Sequence, residues 1–116
     1  MSTEDLSSEV VLVVLPAEPE LRDELEVVNE KIANGDDRDL IIDFSRVEIL
    51  ASSSISSLMI LHSLMSERGR RLILCNVGLP TKGIFNVVGL REFFDFADDK
   101  FDALAKLGIP SETSKT

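Results

Sequence analysis

The sequence predicts an α/β domain with a mostly parallel, four- to five-stranded sheet and flanking helices. Three short runs dominated by apolar residues, at 10–15, 40–44 and 71–75, are typical of buried strands. A segment with apolar residues at helical spacing follows each run, and a fourth strand–helix pair covers residues 93–107. This alternation indicates parallel strands joined by right-handed crossovers. The functional edge of such a sheet lies beyond the carboxyl ends of its strands.

The first strand–helix unit follows a polar, acidic stretch at residues 1–9, which predicts a flexible leader. The strand at 10–15 ends at Pro16. A helix opens near Pro19, since proline and acidic residues favour a first turn. Its buried stripe is predicted at i, i+4, i+7 and i+11: Leu21, Leu25, Val28 and Ile32. Gly35 is the predicted stop.

The second unit, residues 39–61, is the most informative stretch of the chain. After the strand at 40–44 and a connection at 45–50, three serines at 52–54 directly precede an apolar helix that runs to about Arg68. One serine is expected to be the N-cap, so two hydroxyls are left over. Met59 and Ile60 fall outside the face predicted to be buried, which is Leu58, Leu61 and Met65. At least one of them is expected to be exposed or reserved for a partner, unless other elements flank the helix.

The last two units are shorter. After the strand at 71–75 and a loop at 76–80, Thr81 is predicted to cap a helix that Gly89 stops, with apolar positions at Ile84, Phe85, Val87 and Val88. Residues 93–96 are predicted to form the fourth strand. Asp98 or Asp99 caps a final helix with a buried stripe of Phe101, Leu104, Ala105 and Leu107. Residues 10–108 therefore make one domain, and residues 109–116 are predicted to be a flexible tail.

Composition excludes several classes of function. The formal net charge of −9 argues against nucleic acid and anionic membranes as partners, and favours a partner with a basic docking face. The longest aliphatic run, at 10–15, is far too short to span a bilayer, and no signal peptide is recognisable. Cys75 is the only cysteine, so no intrachain disulfide forms. A reducing, cytoplasmic location is the simpler interpretation, with Cys75 in the core.

No enzyme site is recognisable. His62, the only histidine, sits in the middle of a predicted helix without a partner in the sequence pattern. Metal-ligand spacing and phosphate-binding glycine loops are missing, so neither a metal nor a cofactor is predicted. A receiver-type phosphoaspartate at Asp43 is disfavoured, because residues 15–17 contain no acid to hold Mg²⁺. Asp43 is expected to accept a turn hydrogen bond instead.

The serine cluster allows two interpretations. In the simpler one, the serines are an N-cap and small residues that permit close packing. In the other, one exposed serine is phosphorylated, which adds about −1.5 to −2 charge at a helix end that tolerates an anion. The fold would persist while a neutral docking edge became strongly anionic, so a partner would be released.

The stretch Leu-Ile-Ile-Asp-Phe-Ser-Arg-Val-Glu-Ile-Leu-Ala-Ser-Ser-Ser-Ile at residues 40–55 resembles the hallmark of STAS domains, the family of anti-sigma factor antagonists and sulfate-transporter domains. That hallmark is a hydrophobic strand, Asp-Leu-Ser, a hydrophobic step, then Asp-Ser-Ser/Thr-Gly-Leu. Residues 69–77 and 84–96 resemble later strands and helices of the family, so the likeness extends over about residues 10–107. Ala51 stands in place of the family's Asp, Ser54 in place of its Gly, and residues 15–19 in place of its Gly-x-Leu-Asp step.

The resemblance implies a function in transcription regulation. Antagonists of this family bind an anti-sigma factor with a kinase fold and free a sigma factor, until that kinase phosphorylates the second residue of the Ser-Ser/Thr pair. By position this residue is Ser53, with Ser52 and Ser54 beside it. The predicted partner-binding residues are Ala51, Ser52, Ser53, Ser54, Met59 and Ile60. The alternative is a non-phosphorylated STAS module that serves as a structural subunit of a transport or signalling complex.

Overall fold

Five strands in the described part of the chain make one sheet, in the order β1-β2-β3-β4-β5. The computed structural model describes the backbone of residues 2–7 and the whole of residues 9–108. The strands are β1 Ser2–Ser7, β2 Val10–Val14, β3 Asp39–Asp43, β4 Leu72–Cys75 and β5 Asp95–Ala97. The helices are α1 Glu20–Ala33, α2 Ser52–Glu67, α3 Leu79–Val87 and α4 Lys100–Lys106, with a 3₁₀ turn at Arg91–Phe93. The predicted α/β class is confirmed.

The four strands β2 to β5 are parallel, and β1 is antiparallel to β2. Val14 pairs with Asp43 and Asp43 pairs with Cys75, so the carboxyl ends of β2, β3 and β4 are level. The pairing continues past the strands: Leu15 donates its N–H to the Asp43 carbonyl at 3.1 Å, and Phe44 donates to the Cys75 carbonyl at 2.9 Å. The connections that leave these strands therefore meet at one edge.

The two faces of the sheet are covered unequally. Alternate strand residues point to opposite faces. One set joins α1, α2 and α3 in the larger core cluster, which includes Val11, Val13, Leu40, Ile42, Leu72 and Leu74. The other set packs with Ala103 and Leu104 of α4: Val10, Leu12, Ile41, Ile73 and Cys75. The predicted stripe of α1 is buried in full, and the predicted face of α2, at Leu58, Leu61 and Met65, is also buried.

The predicted leader is wrong in part, because its residues Ser2–Ser7 form β1. Antiparallel pairing with the edge of β2 uses backbone groups alone, from Ser2 opposite Val14 to Ser7 opposite Val10. Such pairing leaves little trace in a polar sequence. The predicted flexible tail at 109–116 lies outside the described residues.

The third and fourth units also differ from the prediction. Thr81 is a buried residue inside α3, since Gly78 is the N-cap and Pro80 lies in the first turn, where its fixed φ favours a helix start. Of the four predicted apolar positions of α3, Phe85 alone is fully buried, and Val87 and Val88 are exposed. The last strand begins two residues later than predicted, because residues 91–93 form a 3₁₀ turn.

The final helix follows the prediction at its start and along part of its buried stripe. Asp99 is its N-cap and accepts the Asp102 N–H at 2.8 Å. Its buried residues are Ala103 and Leu104, whereas Phe101 and Ala105 are exposed. The predicted stripe is therefore right at Leu104 and at Leu107, which packs partly against the sheet, and wrong at Phe101 and Ala105.

Candidate functional site

The connection between β3 and α2 lies at the carboxyl edge of the sheet and is held down by buried apolar residues. Phe44, Val47 and Leu50 are all buried. Asp43 accepts the Ser45 N–H at 2.7 Å through Oδ1, as the sequence predicted for this aspartate. Between the anchors, Ile49 has 71% of its surface exposed. The connection therefore presents an apolar side chain to solvent immediately before the serines.

The serines occupy the first turn of α2 rather than its cap. Ala51 is the N-cap, with extended backbone dihedrals, so Ser52, Ser53 and Ser54 are the first three helical residues. The prediction of a serine N-cap is wrong because the acceptor comes from another loop. The Oε2 atom of Glu18 accepts the Ala51 N–H at 2.9 Å and the Ser54 hydroxyl at 2.7 Å.

The three hydroxyls are therefore in different environments. Ser52 and Ser53 are exposed. Ser54 is 0% exposed. The structure corrects the prediction that Ser54 belongs to a partner-binding surface, because its side chain points inward and donates a hydrogen bond to Glu18. Ser53, the predicted phosphoacceptor, has a hydroxyl that another protein can reach.

Of the two predicted apolar contacts on α2, Ile60 is exposed and Met59 packs partly against the core. Ile60 comes seven residues after Ser53. Seven residues make nearly two helical turns, so both side chains lie on one face of α2, about 10 Å apart along its axis. Ser53 and Ile60 thus mark an exposed surface along the helix, here named the α2 face, and Ile49 is exposed in the connection that leads to it.

The sequence analysis missed two exposed features of the structure. Leu79, the first residue of α3, is 82% exposed. A surface groove of about 410 Å³ lies between the packed helices α1 and α2. Its lining residues are Glu26, Asn29, Glu30, Ala33, Ser57, Ile60 and Leu64. The sequence could have predicted the exposure of Leu79, since this apolar residue lies between Gly78 and Pro80 and belongs to no helical stripe. The groove depends on how two helices pack and had no local signal.

His62 and Cys75, the single histidine and the single cysteine of the sequence, have structural roles. The ring of His62 lies 5.9 Å from that of Phe93 and 5.3 Å from that of Phe94, in edge-to-face contacts. Burial, and secondarily the charge of Asp43, raises the pKa of the Cys75 thiol to about 12, so the reactive thiolate does not form near neutral pH.

The described residues show neither a metal-binding cluster nor a membrane-spanning helix. Within residues 9–108, no group of three or more histidine, cysteine, aspartate or glutamate side chains is placed to hold a metal ion. None of the helices in this part of the chain combines the length and apolar character needed to cross a bilayer.

Comparison with known proteins gives one family. The model of the STAS domain matches residues 10–103. No curated protein sequence is similar enough to the chain to count as a relative. Solved structures of STAS-type proteins superpose on it at 14–24% sequence identity, which shows a shared fold.

Three of these structures illustrate the shared fold. The Bacillus cell fate determinant SpoIIAA in its phosphorylated form covers 91% of this chain and 97% of its own, with TM-score 0.70 and 18% identity. An anti-sigma-factor antagonist domain protein of Planctomyces limnophilus covers 91% and 97%, with TM-score 0.78 and 19% identity. A chain from the stressosome, a signal integration and transduction hub, covers 99% and 100%, with TM-score 0.74 and 16% identity.

Proposed function

The chain belongs to the STAS domain family, and we propose that it is a regulator of the anti-sigma factor antagonist type, switched by phosphorylation of Ser53. STAS domains are regulatory, non-enzymatic modules, so the activity to explain is binding. The observation that carries the proposal is the exposure of Ser53 in the first turn of α2, on the same face as Ile60. SpoIIAA, which shares this fold, has been solved phosphorylated.

A partner that covers the α2 face would bury Ser53 among apolar contacts. Ile49 and Ile60 are exposed on either side of this serine along the chain. An unmodified hydroxyl is small and costs little to cover. A phosphate adds about −1.5 to −2 charge, and an apolar patch on the partner cannot replace its water. Phosphorylation would therefore weaken binding through the interface alone.

The partner we propose is a kinase-type anti-sigma factor with a basic rim around its apolar patch. The chain carries a net charge of −9, and Glu26 and Glu30 border the groove beside Ile60. Complementary charge would speed encounter and select the partner. The cytoplasmic location favoured by the single, buried cysteine is part of this proposal.

The test combines phosphorylation with a binding assay. Serine kinases encoded in the same genome are incubated with the protein, the modified residue is identified by mass spectrometry, and binding is measured for Ser53→Ala, Ser53→Asp and the unmodified protein. We expect phosphate on Ser53, full binding by Ser53→Ala, and at least about thirtyfold weaker binding by Ser53→Asp, which corresponds to about 2 kcal/mol.

The matched control is Ser66→Asp, which adds the same charge to an exposed serine of α2 about 20 Å further along the helix and off the side that Ser53 and Ile60 share. It should bind within about threefold of the unmodified protein, since surface charges at this distance are largely screened. Equal binding by Ser53→Asp and Ser53→Ala, with no phosphate at Ser52 or Ser53, would falsify the switch.

The second candidate is a structural subunit of a larger signalling assembly. It is favoured by Ala51, which replaces the family's acidic residue, and by the stressosome chain that covers 99% of this one. This candidate predicts self-association or co-assembly that is insensitive to Ser53→Asp. Sedimentation of the Ser53→Asp and unmodified proteins separates the two functions.

A further inference from the structure

The first turn of α2 lacks a capping side chain of its own. Ala51 at the N-cap has no side-chain oxygen, and no side chain within the turn makes the capping hydrogen bond. Alanine is among the poorest N-cap residues, because the helix then begins with donors that nothing in the turn satisfies. A functional serine placed in an uncapped first turn would sit on a fraying end.

Glu18 supplies the missing acceptor from a different part of the chain. It lies in the connection between β2 and α1, 33 residues before Ala51, whose N–H it accepts at 2.9 Å. The same oxygen accepts the hydroxyl of Ser54, the third helical residue, at 2.7 Å. In a capping box, a glutamate at that third position reaches back to the N-cap N–H. Here the carboxylate performs that role from outside the helix.

We propose that Glu18 is the positioning residue of the phosphoacceptor turn; its consequence for phosphorylation rests on the proposed function of Ser53. One carboxylate fixes the backbone of the turn at Ala51 and engages the hydroxyl of Ser54. Ser52 and Ser53, between these two points, are left ordered and accessible, whereas Ser54 is withheld. Glu18 thus excludes Ser54 from modification, and couples the β2–α1 connection to the switch.

The positioning role is tested on the isolated protein by amide hydrogen exchange. The Ile55 N–H donates to the Ala51 carbonyl at 3.0 Å, so its exchange reports fraying of the first turn. Glu18→Ala should accelerate this exchange roughly fivefold, which matches loss of a typical N-cap. Adding Ala51→Asp to Glu18→Ala places an acceptor at the N-cap and should restore the exchange to within about twofold.

The matched control is Glu20→Ala, which removes the same charge two residues later, where the glutamate is exposed in the first turn of α1. Its Ile55 exchange should equal that of the unmodified protein. The proposal is overturned if the Ile55 N–H exchanges at the same rate in Glu18→Ala and Glu20→Ala. It is also overturned if adding Ala51→Asp to Glu18→Ala does not restore protection, because a carboxylate at the N-cap should be able to replace that of Glu18.

The exclusion of Ser54 is read from the position of the phosphate. A kinase that acts on the original protein should leave Ser54 without phosphate, whereas in Glu18→Ala a tenth or more of the phosphate should appear on Ser54. Adding Ala51→Asp to Glu18→Ala should remove the phosphate from Ser54 again. An unchanged distribution in Glu18→Ala contradicts exclusion by Glu18. If no kinase modifies any serine, the function proposed for Ser53 fails, while the exchange data still decide the positioning role.

Discussion

Replacing Ser54 with alanine separates a structural serine from a functional one. Ser54 is fully buried, and its hydroxyl donates to the Glu18 carboxylate at 2.7 Å. Hydrogen bonds to charged groups contribute about 1.5–3 kcal/mol, and the low end applies because Glu18 is partly exposed and regains water. Alanine recovers up to about 0.5 kcal/mol through its higher helix propensity. The net expected loss in the free energy of unfolding is about 1 kcal/mol.

The assay is urea denaturation, supported by a thermal melt in which Ser54→Ala should lower Tm by roughly 4 °C. Ser53→Ala is the matched control: it makes the same change one residue earlier, at an exposed position, and should be neutral or slightly stabilising. The two neighbouring substitutions should therefore differ by at least about 1 kcal/mol in the free energy of unfolding. If Ser54→Ala is as stable as Ser53→Ala, the hydrogen bond to Glu18 contributes nothing and the assignment of the serines to different roles loses its basis.

Three further outcomes test the core and the titrating groups. Phe85→Ala should cost about 3–5 kcal/mol in denaturation, since this fully buried ring contacts Phe44, Phe94 and Phe96, whereas Phe85→Leu should cost less. The Cys75 thiol should not react with Ellman's reagent at pH 8 until the protein unfolds. Because its folded pKa of about 12 exceeds the unfolded value of 9.0, the free energy of unfolding should fall as the pH rises from 9 towards 12. The hydrogen bond from Arg38 lowers the pKa of Asp36, so Arg38→Gln should raise that pKa towards 3.8 in an NMR titration. The lowered pKa stabilises the original protein at neutral pH, and this stabilisation is lost as the pH falls below about 4. Arg38→Gln should remove it.

The sheet and the first two helices were predictable because their signals are local and periodic. The strands β2, β3 and β4 are nearly continuous aliphatic runs, as expected where both faces are covered. The stripe of α1 and the buried face of α2 follow from apolar residues at three- and four-residue spacing. Ile60 was identified as a residue off that face, and it is 54% exposed.

The details of the candidate site were not predictable, since they depend on residues distant in sequence. Serine is a good N-cap, so local reasoning placed a serine there. The carboxylate of Glu18 enters from 33 residues away and makes Ala51 the N-cap instead. The same contact draws the Ser54 hydroxyl inward, which no pattern in the serine triplet indicates. Only Pro80, in the first turn of α3, was a local signal that the prediction of a Thr81 cap overlooked.

Phosphate at Ser53 would change association without unfolding the domain because the groups that hold α2 lie elsewhere. Leu58, Leu61 and Met65 anchor the helix from its buried face, all at least one turn beyond Ser53. An anion in the first turn gains about 0.3–1 kcal/mol from the helix dipole. Repulsion from the nearby carboxylate of Glu18 opposes this gain, and between partly exposed charges it is also about 1 kcal/mol or less. The two effects nearly cancel in the free protein. Covering the same phosphate with an apolar partner removes the water that screens it, so the full penalty falls on the complex.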